Sequence, residues 1–301
     1  MRRTLAKSLL CLSLALGLSF ACTTNESTGS ESPAKSDKGG KQDAAQTDTP
    51  KSDLPPAEQL LARHVEVSGG ADKIAQFQSL YVEGTIDTGK QKLRGTSKLW
   101  WKSGKFYVEE EIEGIGSSMI GYDGETLWMQ DPINGLRKLE GREKASYVQA
   151  SSSMFPAHDW QKFYSKAETR GQLEVEGKQV WEVVLTSKDG PDTTIGLDVE
   201  SGRIRFIKSK QVSNMGETPF DVYSSDYRPV LGYEFAFESR ASISGLIEIS
   251  NVTTKLEPNV EIDDAKFAYP STKELVPADP AAQPPIVAPQ PDAPKPDAPK
   301  P

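Results

Sequence analysis

Two periodicities divide the chain. Between residues 57 and 78 apolar positions recur at helical spacing, and from Leu80 the period drops to two. In AEQLLARHVEV, Leu60, Leu61, His64, Val65 and Val67 form a helical stripe after Pro55-Pro56, and Gly69-Gly70 interrupts it. ADKIAQFQ predicts a second short helix, with Ile74 and Phe77 three apart. In LYVEGTID, Leu80, Val82, Gly84 and Ile86 share one face, and Glu83, Thr85 and Asp87 the other. KLRGTSKLWW, KFYVEEEIEG, SSMIGYDG and ETLWMQDP continue as strands, with hairpin dipeptides at Asp123-Gly124 and Asn134-Gly135. GREKASYVQASSSMFPAHDWQKFY breaks the run. It predicts a helix near 141–152, a bend at Phe155-Pro156 and a second helix at 158–166. Strands resume with GQLEVEG, QVWEVVLTS, TTIGLDVE, RIRFIKSKQV, PFDVYSSDY, GYEFAFES and GLIEISNVTT.

The prediction is mainly β with a few helices, in about 11–12 antiparallel strands connected as up-and-down meanders. So many strands do not make one flat sheet. They curl into a barrel, a half barrel or a sandwich. Val180, Trp181, Val183, Val184 and Leu185 are apolar on both faces of one strand, which calls for cover on both sides. The helices at 57–77 and 141–166 are the available cover.

The ends read differently. Arg2, Arg3 and Lys7 precede an apolar run from Leu9 to Ala21 that stops at Cys22. That run is about 13 residues, short of the roughly 20 that span a bilayer, and reads as a secretory signal over 1–21. A small residue before a cysteine, followed by polar chain, resembles a bacterial lipobox, although Ser19 and Phe20 depart from its usual pattern. Two readings stay open: lipidation at Cys22, and simple secretion after cleavage near Ala21. Residues 22–54 form a polar tether, whose coil span is roughly 30 Å. The domain is assigned to 55–272. Residues 273–301 form a Pro-rich tail that contains PDAPK twice and is expected to be solvated chain.

Loss of residues 1–21 shifts the formal charge from −8 to about −11, a poor match to nucleic acid or an anionic membrane face. It also removes Cys11 and leaves Cys22 as the one cysteine, so no disulfide is expected. Candidate chemistry is sparse. His64 sits among apolar helix residues as a structural histidine. Ser151, Ser152, Ser153, His158 and Asp159 supply the letters of a hydrolase without a nucleophile elbow. Glu109, Glu110 and Glu111 alternate faces in a strand and make no carboxylate pair. No metal-ligand spacing occurs, and no cofactor or catalytic activity is expected. Trp100, Trp101, Phe106, Tyr107, Trp128, Trp181, Phe206, Phe235 and Phe237 lie on predicted strands, either as core or as the wall of an apolar concavity.

GYDGETLWMQDPINGLRKLEG, SSDYRPVLGYEFAF and NVEIDDAKFAYP, in that order after LLARHVEVSGGADKI, resemble bacterial outer-membrane lipoprotein-sorting-like domains, the LolA/LolB-like family. The resemblance covers roughly residues 57–270. It implies an unclosed antiparallel β barrel with helices over the concave face and an apolar cavity between them. It implies a cell-envelope protein, outer-membrane anchored and facing the periplasm, that holds acyl chains non-covalently or takes part in lipoprotein sorting. A cell-envelope interaction module with a filled core is the alternative. The cavity wall implied by both lines is Leu99, Trp101, Phe106, Val108, Ile120, Trp128, Trp181, Phe235 and Phe237, with Met154 and Phe155 near its entrance.

Overall fold

Thirteen antiparallel strands join edge to edge in one sheet that does not close. The computed structural model describes residues 54–214 and 216–270. The signal segment with Cys22, nearly all of the tether and the Pro-rich tail lie outside the described residues. The chain enters through α1 (Ala57–Val67) and a single turn, α2 (Ala71–Ile74). It then forms β1 (Ser79–Asp87), β2 (Arg94–Lys102), β3 (Lys105–Ile112), β4 (Gly116–Tyr122), β5 (Leu127–Asp131) and β6 (Gly135–Leu139). Helix α3 (Gly141–Ala150) and the segment 151–163 cross over to β7 (Tyr164–Val175). The second meander runs through β8 (Lys178–Ser187), β9 (Thr193–Asp198), β10 (Ile204–Ser213), β11 (Gly216–Val230), β12 (Tyr233–Ile243) and β13 (Ile247–Pro258). The strand order is β6-β5-β4-β3-β2-β1-β13-β12-β11-β10-β9-β8-β7. Every neighbour is sequential except β1 with β13, where Leu80 pairs with Pro258 and Asp87 with Ser250.

Three sequence expectations are corrected. The strand count is thirteen, because GLRKL forms edge strand β6 after the Asn134-Gly135 turn. The helix expected over 158–166 is a short 3-10 turn at Trp160–Lys162, and Tyr164 already pairs with Ser187. Ala157 and Asp159 have φ of 64° and 50°, a left-handed conformation that no helix continues through. The second short helix ends at Ile74, and Phe77 closes back on the Ile74 carbonyl.

Alternation assigns each strand two faces. On one, Val82, Leu99, Val108, Ile120 and Met129 stand opposite one another across β1–β5, all buried. This face carries the helices, because Ile74, Phe77 and Tyr147 pack into the same cluster. Helix α1 covers the other half through Leu60 and Leu61, against Val183, Leu185, Ile195 and Leu197. Arg63 fixes α1 by donating to the carbonyls of Val199 (3.1 Å) and Glu200 (2.6 Å) in the β9–β10 turn. Helix α3 is tied to β6 by a bidentate Arg137–Glu143 pair at 2.9 and 2.7 Å.

On the opposite face, Tyr81, Trp100, Tyr107, Gly121 and Trp128 form the matching line. Ring centroids lie 4.9 Å apart for Tyr81–Trp100, 5.6 Å for Trp100–Tyr107 and 5.8 Å for Tyr107–Trp128. The indole of Trp128 fills the space above Gly121, where a Cβ would stand 2.5 Å from its ring. A strap after β13 closes over this line. Ile262 and the fully buried Phe267 pack on Tyr107 and Trp128, and Trp128 Nε1 donates to the Phe267 carbonyl at 3.1 Å. Lys266 sits 3.7 Å above the Trp100 ring, and Asp264 pairs with Lys102 and Lys105 at 2.8 and 2.7 Å.

Candidate functional site

The expected cavity wall divides into three places. Leu99, Phe106, Val108, Ile120, Met154, Phe155 and Phe235 converge in one buried cluster under the helices, with Trp101 and Phe237 at its margin. Trp181 is on the same face but packs under α1 with Val183, Leu185 and Ile195. Trp128 is on the opposite face beneath the strap. Its placement with the wall is corrected by the register: Leu127 and Met129 point to the helix side, and Trp128 between them pairs with Gly121.

The principal cluster is filled. Phe155 reaches in from the segment after α3 and meets Phe77 at 5.5 Å, Trp101 at 5.6 Å, Tyr233 at 5.4 Å and Phe235 at 5.9 Å between centroids. Phe77 meets Phe235 edge-on at 5.2 Å, and Tyr233 meets Phe235 at 5.0 Å. Phe77 and Tyr233 were not among the expected wall residues. Phe77 follows a helix and sits on no alternating run, whereas Tyr233 stands two residues before Phe235 on the same alternating strand, so the period-two pattern of GYEFAFES already gives its face.

Open space lies between α3, residues 156–160 and strands β7–β11. Its floor is Leu185, Ile195, Ile207, Phe220 and Val222, with Trp160 at one side. The free space is about 60 Å³, against roughly 150 Å³ for an apolar cavity that holds benzene. One rim is polar and internally bonded. Gln149 Nε2 donates to the Pro191 carbonyl (2.7 Å) and to Thr193 Oγ1 (3.2 Å), and Gln149 Oε1 accepts from Ser187 Oγ at 2.6 Å. Tyr164 donates to Thr193 Oγ1 at 3.0 Å, and Gln211 Nε2 donates to Ser146 Oγ at 3.0 Å. Burial pushes the Tyr164 phenol up to about 12, against the bonds to Thr193 and Gln149, so it stays a neutral donor. The side chains named on this rim are neutral, and the arrangement suits an apolar chain with a hydrogen-bonding end. Sequence alone gave no sign of this rim, because glutamine, serine and threonine on strands and helices read as solvated surface.

Among the described side chains the candidate catalytic letters do not assemble. Ser151 Oγ donates to the Val148 carbonyl within its own turn, and His158 Nε2 lies 3.6 Å from an Asp159 carboxylate that is 78% exposed. Glu109 accepts from Tyr107 on the face opposite the helices, and Glu110 is buried on the other. Among the described residues no group of three or more His, Cys, Asp or Glu side chains is placed to hold a metal ion.

No protein-family model matches the chain, and no curated protein matches it. Among solved structures it is similar to a DUF1329 family protein from Desulfovibrio piger, at 15% identity over 72% of this chain and 98% of that one, with a TM-score of 0.49. It is also similar to a LolA superfamily protein from Nitrosomonas europaea, at 13% identity over 71% and 98%, again with a TM-score of 0.49. A third is the lipoprotein LppX of Mycobacterium tuberculosis, at 9% identity over 68% and 98%, with a TM-score of 0.25.

Proposed function

We propose that the protein is a non-catalytic, lipid-anchored component of a bacterial cell envelope that binds a single acyl chain, or an apolar ligand of similar shape, on the helix-covered face of its sheet. The observation that carries this reading is the apolar, helix-covered face of the open sheet, with an opening between α3 and β7–β11 that is apolar on its floor and hydrogen-bonding on its rim; at about 60 Å³ it admits the end of a chain, and the rest requires the neighbouring apolar side chains to make way. Burying one CH₂ is worth about 0.8 kcal/mol, so a chain of about 16 carbons represents roughly 12 kcal/mol. Exchange of such a chain between two equally apolar sites is nearly balanced and needs no acid, base or metal. The same site fits carriage in lipoprotein sorting. The filled aromatic cluster supports a second reading, an interaction module that holds no ligand.

A fluorescent fatty-acid analogue separates the two. The full chain is expected to bind it and to release it to unlabelled acyl chains. Ala150→Leu puts three extra carbons into the opening from the end of α3 and is expected to weaken binding about tenfold with little change in stability. Absence of binding to the folded protein favours the interaction module.

Anchoring is proposed at Cys22, from the cationic start, the short apolar run and the Ala21-Cys22 junction. Acylation by two or more chains holds a protein stably on a membrane. Cys22→Ser is therefore expected to move the protein from the membrane to the soluble fraction, as read by fractionation. Retention in the membrane rules this anchor out.

A further inference from the structure

We propose that the opening beside α3 selects its ligand by a hydrogen-bond donor: the group seated at its rim is a hydroxyl or an amide N–H, not a carboxylate or an ester. This rests on the acyl-binding reading above and names the ligand class, a neutral lipid with a donor end such as a long-chain alcohol, a partial glyceride or a fatty amide. The side-chain donors of the rim are committed within the protein. Ser209 Oγ lies 3.0 Å from the Asp192 carbonyl, which only accepts, so that hydroxyl donates to it. Thr193 Oγ1 then donates to Ser209 Oγ at 3.2 Å, and the Tyr164 hydroxyl must donate to Thr193 Oγ1 at 3.0 Å. Gln149 Nε2 gives one hydrogen to the Pro191 carbonyl and the other to Thr193 Oγ1. Nearer α3, Ser146 Oγ donates to the Glu143 carbonyl at 2.8 Å. Gln211 Nε2 therefore donates to Ser146 Oγ at 3.0 Å, and its second hydrogen goes to the Val212 carbonyl at 3.1 Å. Carbonyls at the ends of both chains fix the direction of every bond between them.

What the rim has left is lone pairs. Gln211 is buried and lines the opening, and no described group donates to its Oε1. Lys210 lines the space as well, but its ammonium is held by Glu217 at 3.0 Å. His158 and Trp160 stand on the 156–160 side, outside this network. A ligand carboxylate brought to the rim gives up water for oxygen lone pairs, without a donor from the rim in return. An ester is neutral yet only accepts, so it too loses hydration and gains no bond there. A hydroxyl or amide N–H donates to Gln211 Oε1 and regains the bond it gave up to water. The space of about 60 Å³ takes such a group and the first carbons behind it, against Ile195, Ile207 and Val222.

Titration calorimetry of the full chain at pH 8 compares 1-octanol, octanamide, sodium octanoate and methyl octanoate. The alcohol and the amide are expected to bind about tenfold more tightly than the acid and the ester. The ester separates the need for a donor from the repulsion of charge. The tighter of alcohol and amide tells a glyceride-type hydroxyl from an N-acyl group as the source of the donor. Gln211→Met nearly keeps the volume and removes the free acceptor, so the alcohol and the amide are expected to fall to the level of the ester, with folding followed by near-UV circular dichroism. If that variant does not fold, the ranking in wild type decides alone. Octanoate or methyl octanoate binding as tightly as the alcohol and the amide overturns the donor preference and leaves the acyl-binding reading in place, as does a folded Gln211→Met that retains the ranking. Wild type that binds 11-(dansylamino)undecanoic acid but none of the four octyl probes also overturns the preference alone. Wild type that binds neither that acid nor any probe overturns the acyl-binding reading with it.

Discussion

Trp128→Ala is expected to lower the folding free energy by about 3–5 kcal/mol and to leave acyl binding unchanged. The side chain is 2% exposed and ends the aromatic line on the face away from the helices. Its loss empties the space above Gly121, removes the 3.1 Å bond to the Phe267 carbonyl and takes away the floor on which Phe267 rests. The strap should loosen first, seen as earlier proteolysis after Asp263. A double-mutant cycle isolates the contact with Gly121. Alone, Gly121→Ala drives a Cβ to 2.5 Å from the indole and is expected to cost about 1–3 kcal/mol. In the Trp128→Ala background the same change meets no ring and is expected to be close to neutral. A Trp128→Ala loss below about 1 kcal/mol, or a matching loss of acyl binding, would contradict this placement.

Mild acid is the second large effect. His64 is fully buried in α1 among Leu60, Leu61 and the β9–β10 turn, and burial lowers its pKa to about 4 from an ordinary 6.5, against a smaller opposing contribution from the Gly202 backbone. The folded state therefore holds this imidazole neutral. Between pH 6.5 and 4 the unfolded chain binds the extra proton, so stability is complete above 6.5 and is lost as pH falls through that window. The full loss is about 3 kcal/mol, from 1.36 kcal/mol per pH unit. His64→Leu should remove this part of the slope in urea titrations at pH 7, 5.5 and 4.5. Above pH 7 it should be close to neutral, since the Gly202 backbone that acts on the imidazole lies outside hydrogen-bond geometry for either ring nitrogen. An unchanged slope in the leucine variant would show that the acid sensitivity arises elsewhere.

How legible the structure was depends on how much each residue's neighbours disagree with it. Helix α1 was readable because Leu60, Leu61 and His64 repeat against charged residues and Pro55-Pro56 marks the start. Strand β12 was readable because Phe235 and Phe237 alternate with Glu234 and Glu238. Leu127-Trp128-Met129 has no polar residue to break the tie, so either face was consistent, and only the pairing with Gly121 decides it. Trp160, Phe163 and Tyr164 stand at helical spacing, yet Tyr164 belongs to β7, because strand pairing with Ser187 outweighs a local pattern. The open space beside α3 had no sequence signature. It is assembled from residues of α3, the 156–160 segment and five strands, each unremarkable in its own stretch.

The seam between β1 and β13 bears on how the chain reaches this structure. Strands β1–β6 pair in succession, as do β7–β13, so each half gains its contacts from short hairpins that close fast. The seam must bring Leu80 to Pro258 across almost the whole domain, and loop-closure entropy is spent before any of its bonds form. Strand β1 is synthesised early and waits with a free edge until β13 exists. During that interval the β13 of a second copy offers the same register and the same hydrogen bonds. Closure of this seam is therefore the expected slow step of folding, and exchange of β13 between two chains is the expected misassembly, to be read as a concentration-dependent dimer in refolding.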